Sequence, residues 1–315
     1  MKKIIALTII GCCMLLRVVA QGDLLDEINK EDSAKPQRNF TTATFKATRI
    51  INMQSVELTG AGNLQFMITH HFGLLWNKDA GAQNLVQMFG LNAGIAKTYL
   101  ALDYSFNRWF NVGLAAAGTS NFEGWMRFKL LRQQTGTYNI PVTVDWISTA
   151  NVNSSKTATL VGEPVWNRYS FMHQLLIARK FSDKFSLQFM PTLVHNNVVP
   201  YGVNNSNNVW SLGVGGRYKV SDKKAITFEY ARQLNMFDFV IMKNGTIVNY
   251  NPNLVSIGYD WDTGGHIFQL FASSTTMSTN IEQLTRNPYN FAKGEFALGF
   301  NINRSFGIKK KVKEL

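Results

Sequence analysis

Long stretches of this chain alternate strictly between apolar and polar residues. In 254–261, one face would carry Val255, Ile257, Tyr259 and Trp261, and the other Ser256, Gly258 and Asp260. Successive side chains of a β-strand point to opposite faces, so this period predicts strands. Ser-Asp-Lys recurs between two such stretches, at 182–184 and again at 221–223, and Asp favours tight turns. The pattern therefore predicts antiparallel hairpins repeated along most of the chain.

The fold class that follows is all-β, with about twelve strands in a range of 10–14, an even number as single-chain membrane barrels require. The predicted strands cover 63–72, 94–104, 109–118, 122–132, 140–150, 165–181, 184–195, 208–220, 224–233, 253–262, 265–275 and 294–306. Tight connections alternate with long ones from residue 165 onward. Short turns of such barrels face the periplasm and long loops face outward. We expect an up-and-down topology.

A soluble sandwich and a transmembrane barrel both produce this alternation, with opposite faces buried. Three features favour the membrane barrel. Many strands are about ten residues long, which suits a tilted bilayer crossing. Their polar faces are rich in Gly, Ser and Asn, as in a lumen. Aromatic residues gather near strand ends, as an interfacial girdle would: Trp109 with Phe110, Trp166 with Tyr169, and Tyr259 with Trp261.

The first residues have the features of a secretory signal, with two lysines, an apolar run and a small residue before Gln21. We expect cleavage after residue 20; a lipoprotein box ending at Cys12 ranks second. Both cysteines, Cys12 and Cys13, lie inside that signal, which excludes disulfides and thiolate sites from the mature chain. The chain carries a net charge of +12. Its bases are dispersed apart from the 307–315 tail, so we predict no nucleic-acid partner.

Residues 21–44 are predicted to be a periplasmic linker, flexible over 22–40. The stretch 45–57 has strand character, but a thirteenth strand would make the count odd. We therefore predict that 45–57 is a plug or a periplasmic segment at the start of the 45–306 barrel. Arg49 is expected to pair there with a luminal acid such as Glu229, Asp260 or Glu295.

The odd or even position of a residue along its strand (its parity) also decides which face it lies on. Charged and amide side chains are assigned to the lumen, because a charge facing lipid at mid-bilayer costs about 2–4 kcal/mol. The lumen-lining candidates are Gln65, Lys97, Asp103, Glu123, Arg127, Lys129, Asp145, Arg168, Arg217, Glu229, Asp260 and Glu295. Two interpretations stay open for them. They form a charge network that fills the barrel, or they line an aqueous path.

The sequence offers little evidence of catalysis. His70 and His71 are adjacent in a strand and so face opposite ways, which prevents joint metal binding. His266 follows a turn, where a strand-end histidine is the simpler interpretation. A Gly-x-Ser-x-Gly elbow is absent from the sequence, although Ser170 or Ser273 with a histidine keeps a membrane-embedded hydrolase open. We predict no enzyme activity, no catalytic residues, no metal and no cofactor.

Several stretches resemble a family of bacterial outer-membrane β-barrels that carries only a domain-of-unknown-function label. The first, FKATRIINMQSVE at 45–57, is the most specific; the others are GAGNLQFMITHHFG, FKLLRQ, GHIFQL and ALGFNINRSF. The resemblance covers about residues 40–306. It implies an outer-membrane barrel and transfers no activity or binding residue.

The predicted function is a channel or transporter for a small solute, in contact with outer-membrane lipid. The alternative is a structural or assembly component of an envelope complex, held to an envelope protein partner and without transport. A transporter of hydrophobic ligands is a further possibility.

Overall fold

The computed structural model describes residues 38–76, 97–118, 120–155, 164–199, 206–235, 240–243, 246–249 and 253–308. The chain divides into two compact units, Met1–Asn39 and Phe40–Leu315, and the second contains every strand of the barrel and the segments inside it. The predicted signal and most of the predicted linker lie outside the described residues, as do residues 309–315 of the tail.

The elements are almost all strands. In chain order they are β1 (Arg38–Phe40), β2 (Asn63–Leu74), β3 (Lys97–Ser105), β4 (Phe110–Ala117), β5 (Asn121–Leu131), β6 (Gln134–Gly136), β7 (Thr143–Asn153), β8 (Tyr169–Lys180), β9 (Phe185–Asn196), β10 (Asn208–Ser221), β11 (Lys224–Gln233), β12 (Val240–Lys243), β13 (Thr246–Asn249), β14 (Leu254–Asp262), β15 (Ile267–Ser273) and β16 (Ala297–Gly307). One α-helix, α1 (Asn280–Thr285), and two 3-10 turns, Val165–Arg168 and Phe291–Lys293, complete the described elements.

Twelve of these strands form a closed antiparallel barrel in the order β2-β3-β4-β5-β7-β8-β9-β10-β11-β14-β15-β16. The last strand closes on the first, with Phe300 opposite His70 and Asn303 opposite Met67. β12 and β13 pair with each other as a separate hairpin. The predicted fold class and strand count are confirmed. The prediction that a strand begins at residue 165 is wrong: Val165–Arg168 is a 3-10 turn that follows Pro164, and β8 starts at Tyr169.

The two ends of the barrel differ in their connections. At one end the strands are joined by tight turns such as 222–223 and 263–266, with 132–142 the longest; we call this the short-turn end. At the other, the long-loop end, connections such as 274–296 are longer, apart from the short turn at 118–120. This is the asymmetry that the sequence predicts.

The outside of the barrel is apolar, and its buried charged side chains lie inside. Leu114 is 68% and Leu270 63% exposed, whereas the inward Arg127 and Asp145 are 0% exposed. Exposed aromatic side chains lie near both ends, including Trp109 and Trp261 at the short-turn end and Trp166 and Trp210 at the long-loop end. A water-soluble barrel has the opposite arrangement, so this distribution fits a bilayer surface with an interfacial girdle.

A hairpin of chain occupies the inside of the barrel. Residues 41–57, here called the plug, enter from the short-turn end and turn at 50–53, where the Ile50 N–H donates to Met53 O at 2.9 Å. Ser55 N donates to Thr48 O at 2.9 Å, and Arg49 and Gln54 form a β-bridge. All residues from Thr44 to Val56 except Lys46 are buried. Of the two predicted placements for 45–57, the structure has the one inside the barrel.

The connection between β15 and β16 folds inward from the other end. Residues 274–296, here called the inner loop, carry the six-residue helix α1. Thr279 caps α1 by accepting from Glu282 N at 3.2 Å and donates to the Glu282 carboxylate at 3.0 Å, an arrangement similar to a capping box. Ile281 and Leu284 are buried, and Asn280 donates to Asn52 O of the plug at 2.8 Å. The plug and the inner loop therefore meet inside the barrel.

The outward apolar face gives a first testable consequence. Leu114 lies mid-strand in β4 and is 68% exposed. Leu114→Arg should destabilise the folded barrel by about 2–4 kcal/mol in a bilayer, because the charge would meet lipid. Urea unfolding of protein reconstituted in phospholipid vesicles measures this. Leu114→Ala is the matched control and should cost much less; equal effects would mean that Leu114 does not face lipid.

Candidate functional site

The barrel interior is the candidate site, and most of the polar residues predicted there are buried in it. Gln65, Asp103, Glu123, Arg127, Asp145, Arg217, Glu229 and Asp260 are each at most 4% exposed. Lys97 and Lys129 are half-buried at inward positions of β3 and β5. Lys97 contacts Met277 Sδ of the inner loop at 3.2 Å, and Lys129 forms an ion pair with Asp145 at 3.2 Å.

The other two candidates lie outside the barrel strands, which corrects their assignment to strand positions. Arg168 is in the 3-10 turn before β8 and donates to Ser155 O at 2.8 Å. Glu295 precedes β16 and accepts from Asn290 N at 2.8 Å, within the inner loop. Both side chains bond the backbone of loops at the long-loop end. The predicted strands included these two residues, but β8 begins at Tyr169 and β16 at Ala297.

Glu229 of β11 holds the turn of the plug. It is 1% exposed, and its carboxylate accepts from the backbone N–H groups of Ile51, Asn52 and Met53 at 2.8–3.0 Å. Three successive N–H groups around one anion form the concave arrangement known as a nest. Within the described ranges, none of the ion pairs includes Glu229. The plug backbone is therefore what solvates this buried charge.

Side chains of the wall also bond the carbonyl groups of the plug. Gln269 donates to Ile50 O at 2.7 Å and Asn301 to Ile51 O at 2.8 Å. Gln188 donates to Gln54 O at 2.7 Å and accepts from Val56 N at 2.9 Å. Arg127 donates to Ser55 O at 3.0 Å and Glu57 O at 2.6 Å, and Lys129 to Val56 O at 2.6 Å. Asn280 donates to Asn52 O, and the Ile50 N–H donates to Met53 O. Every backbone carbonyl from residue 50 to residue 57 therefore accepts a hydrogen bond.

Asn52 is the most connected side chain of the plug. Its amide nitrogen donates to Ser256 Oγ at 2.9 Å and to Ser273 Oγ at 3.2 Å, and its oxygen lies 2.8 Å from His71 Nε2. The two serine hydroxyls are 2.9 Å apart. Asn52 thus joins strands β2, β14 and β15 at the turn of the plug.

The prediction that Arg49 pairs with a luminal acid is wrong in this structure. Arg49 is 2% exposed, donates to Asn52 O at 3.0 Å, and lies with its guanidinium 4.3 Å from the ring centre of Tyr99. Among the described residues it forms no ion pair, and its Nε and second terminal nitrogen have no hydrogen-bond partner. Glu229 is already occupied by backbone N–H groups, and Asp260 is bonded by Gln269 and Thr227.

One sector of the interior is apolar, which the parity argument missed. The inward side chains there are Ile147, Met172, Leu176, Met190, Val194 and Val209, all of them buried. Three glycines on inward positions make room for the plug. A Cβ built on Gly215 would lie 2.4 Å from Ile50 Cδ1, one on Gly213 3.0 Å from Met53 Cε, and one on Gly258 3.1 Å from Ile51. The wall therefore has recesses that match three apolar side chains of the plug.

The candidate catalytic groups do not form a nucleophile-base pair in the described parts of the chain. His71 points inward to Asn52, whereas His70 points outward and stacks on Phe300, so the two face opposite ways as predicted. His266 lies in a short turn, 3.2 Å from an Arg304 nitrogen. Ser170 bonds Asn196 and Ser273 bonds Ser256; within the described residues, neither serine hydrogen-bonds a histidine. Nor do these residues contain a group of three or more His, Cys, Asp or Glu that could hold a metal.

The fold and its filled interior define a membrane-bound β-barrel with an internal plug. None of the helices among the described residues is long and apolar enough to cross a membrane. The model of the family described as "Membrane bound beta barrel domain (DUF5777)" matches residues 45–306, and this chain belongs to that family. The matched region therefore covers residues 45–57 of the plug as well as the barrel. No curated protein matches the chain.

Solved structures with a similar fold include porins and a channel. The KdgM porin is 8% identical, with 76% of this chain and 99% of that chain covered and a TM-score of 0.46. OmpF of Salmonella typhi, in complex with daunomycin, is 7% identical over 78% and 97%, with a TM-score of 0.37. The CymD monoaromatic hydrocarbon channel is 12% identical over 80% and 90%, with a TM-score of 0.33.

The nest around Glu229 predicts a specific stability effect. Glu229→Gln keeps the shape but removes the charge and presents an amide donor to backbone donors, so we expect a loss of about 1–3 kcal/mol. Thermal unfolding in detergent, followed by heat-modified gel migration, measures the loss. Asp222→Asn is the control: its side chain is 94% exposed in a short turn and pairs with Lys219, and a surface ion pair contributes only about 0–1 kcal/mol. A neutral Glu229→Gln would show that the carboxylate does not anchor the plug.

The inward glycines predict a second effect. Gly215→Val should lower stability by about 1–3 kcal/mol, because overpacking a filled core forces side chains to shift, here Ile50. Gly124→Val on β5 is the control: a Cβ there meets only Leu114 Cδ2 at 3.3 Å and Gly113 O at 3.9 Å. Chemical unfolding of the two variants side by side decides the matter, and equal losses would contradict close packing of the plug on Gly215.

Proposed function

We propose that this protein is an outer-membrane channel for a small solute, that it has no enzyme activity, and that the structure is its closed state. The short-turn end would face the periplasm, as the short turns of outer-membrane barrels do. The solute would cross the space that the plug and the inner loop now occupy.

The observation that carries this proposal is that the barrel wall is complete without the plug. Its twelve strands pair with one another around the full circle, including β16 with β2. The contacts between plug and wall are made by wall side chains and by apolar packing. Withdrawing the plug would therefore leave every ladder hydrogen bond of the barrel in place.

The chemistry of those contacts supports a plug that can leave. The wall groups at Gln188, Gln269, Asn301 and Glu229 are amides and a carboxylate, which water solvates well. A typical hydrogen bond contributes only about 0.5–1.5 kcal/mol net, because water replaces the lost partner. The neck of the plug is also narrow: Glu57 accepts from Phe45 N at 3.1 Å, and Lys46 pairs with Asp262 at 2.9 Å. Both arms of the plug leave at one end of the barrel.

A sealed structural barrel in an envelope assembly is the second candidate. It is favoured by the inner loop, which packs Ile281 and Leu284 into the same apolar cluster as Ile50 and Met53. Filling from both ends is what a barrel with a purely structural role would need. Electrical recording separates the two candidates.

The test uses a shortened chain in which residues 46–56 are replaced by a brief Gly-Ser linker, which the close approach of Phe45 and Glu57 permits. In planar bilayers we expect the full chain to be closed most of the time and the shortened chain to conduct steadily, because the lumen has lost its plug. A chain carrying the same linker in place of the exposed turn 222–223 controls for the insertion. A folded shortened chain that stays silent would overturn the channel and favour the sealed barrel.

A further inference from the structure

The plug shows what the inner wall is built to bind. The wall bonds several polar side chains of the plug, Asn52 among them, and its bonds to the plug backbone are more continuous along the chain. Glu229 takes three successive N–H groups, and Gln269, Asn301, Gln188, Arg127 and Lys129 bond its carbonyls. Such groups recognise a polypeptide whatever its sequence.

Gln188 by itself bonds the plug backbone as both donor and acceptor. Its side-chain amide donates to Gln54 O at 2.7 Å and accepts from Val56 N at 2.9 Å. This is the pattern that a neighbouring strand would offer to residues 54 and 56. Peptide-binding proteins obtain affinity from such main-chain bonds and specificity from pockets for alternate side chains.

The recesses at the inward glycines supply such pockets. Ile50 fills the space over Gly215, Met53 that over Gly213, and Ile51 that over Gly258. Met190 borders both Gly213 and Gly215, with its Cε 3.2 Å and 3.5 Å from the built Cβ atoms. An apolar side chain of another peptide would fit the same spaces.

We propose that the lumen is a peptide-binding site, that the plug is its built-in occupant, and that the solute of this channel is a short peptide with apolar side chains. That the peptide is the transported solute rests on the proposed channel function. Binding of a peptide in the lumen does not depend on conduction. Glu229 would hold successive N–H groups of the ligand, Gln188 would pair with its backbone, and the glycine recesses would receive its side chains.

The test adds a synthetic peptide to the shortened chain that lacks residues 46–56. The peptide has the sequence KATRIINMQSV of those residues, with blocked ends. We expect it to raise the unfolding temperature of the shortened chain in detergent and to block its conductance in a concentration-dependent way. The same peptide with N-methyl groups on the amides of Ile51, Asn52 and Met53 keeps every side chain but loses the donors to Glu229.

We expect the N-methylated peptide to need about ten times the concentration, or more, to raise the unfolding temperature or to block conductance, as the loss of hydrogen bonds to a charged group implies. Glu229→Gln in the shortened chain should weaken binding of the unmethylated peptide similarly. A scrambled peptide of the same composition should still bind, and maltotriose should not. Equal binding of the methylated and unmethylated peptides would overturn backbone recognition.

The two proposals can fail separately. If the shortened chain conducts but no peptide binds or blocks it, the channel stands and the peptide site is wrong. If it is silent but the peptide still raises its unfolding temperature, the peptide site stands and the channel is wrong. Should the shortened chain not fold, the full chain with Ile50, Ile51 and Met53 all changed to Gly replaces it, since its plug would be weakly held; failure of the peptide to bind there would equally contradict the inference.

Discussion

The structure depends on the need to satisfy backbone polar groups in two places that exclude water. In the bilayer, a strand can cross only if its N–H and C=O groups are paired within a closed ladder. The interior of this barrel imposes the same demand on a second piece of chain, since most of residues 44–56 are buried there. A buried backbone group without a partner costs about as much as a lost hydrogen bond. The amides and charges of the inner wall meet that demand, which explains why they stand where they do.

Different sectors of the inner wall make polar and apolar contacts. Strands β5, β11, β15 and β16 supply most of the groups that bond the plug backbone, including Glu229, Gln269, Asn301 and Arg127. The sector from β7 to β10 contributes Gln188 to that set, and its Met172, Leu176 and Met190 join the apolar cluster that includes side chains of the plug and of α1. Hydrogen bonds fix the register of the plug, because each requires one geometry. Apolar burial supplies much of the stabilisation, because it is roughly proportional to the area removed from water.

Much of the wall could be predicted from the sequence, because strand parity is a local property of the chain. The two-residue alternation of side chains along a strand was enough to predict that Glu229, Arg127 and Asp260 point inward, without any knowledge of their partners. The same argument missed Met172 of β8 and Met190 of β9, which are inward although they are apolar, whereas Phe171 and Phe189 face the other way. Periodicity cannot distinguish the faces of such strands. Predicting them would have required knowing that an apolar hairpin lies inside.

The partners within the lumen were beyond sequence reasoning for a different reason. An arginine and several acids in one enclosed space suggest ion pairs, and that expectation led to a predicted pairing of Arg49 with a luminal acid such as Glu229, Asp260 or Glu295. A carboxylate, however, can be stabilised as well by several N–H donors as by one cation. The tight turn at 50–53 brings three such donors together, and only its three-dimensional shape reveals them. Arg49 then makes its closest ring contact with Tyr99, at 4.3 Å.

Glu229 links the stability of the filled barrel to the proposed function in one residue. A buried carboxylate cannot lose its partners without a large cost unless water or another donor replaces them. In the proposed closed state its donors are the plug amides, so opening of the lumen would have to bring in water or a ligand with N–H groups at the same moment. In that proposal, closing and opening would exchange the donors at Glu229, and the occupant of the lumen would be decided by which donor set binds more strongly. A wall that holds the backbone of its own plug would, for that reason, also bind another polypeptide in competition with it.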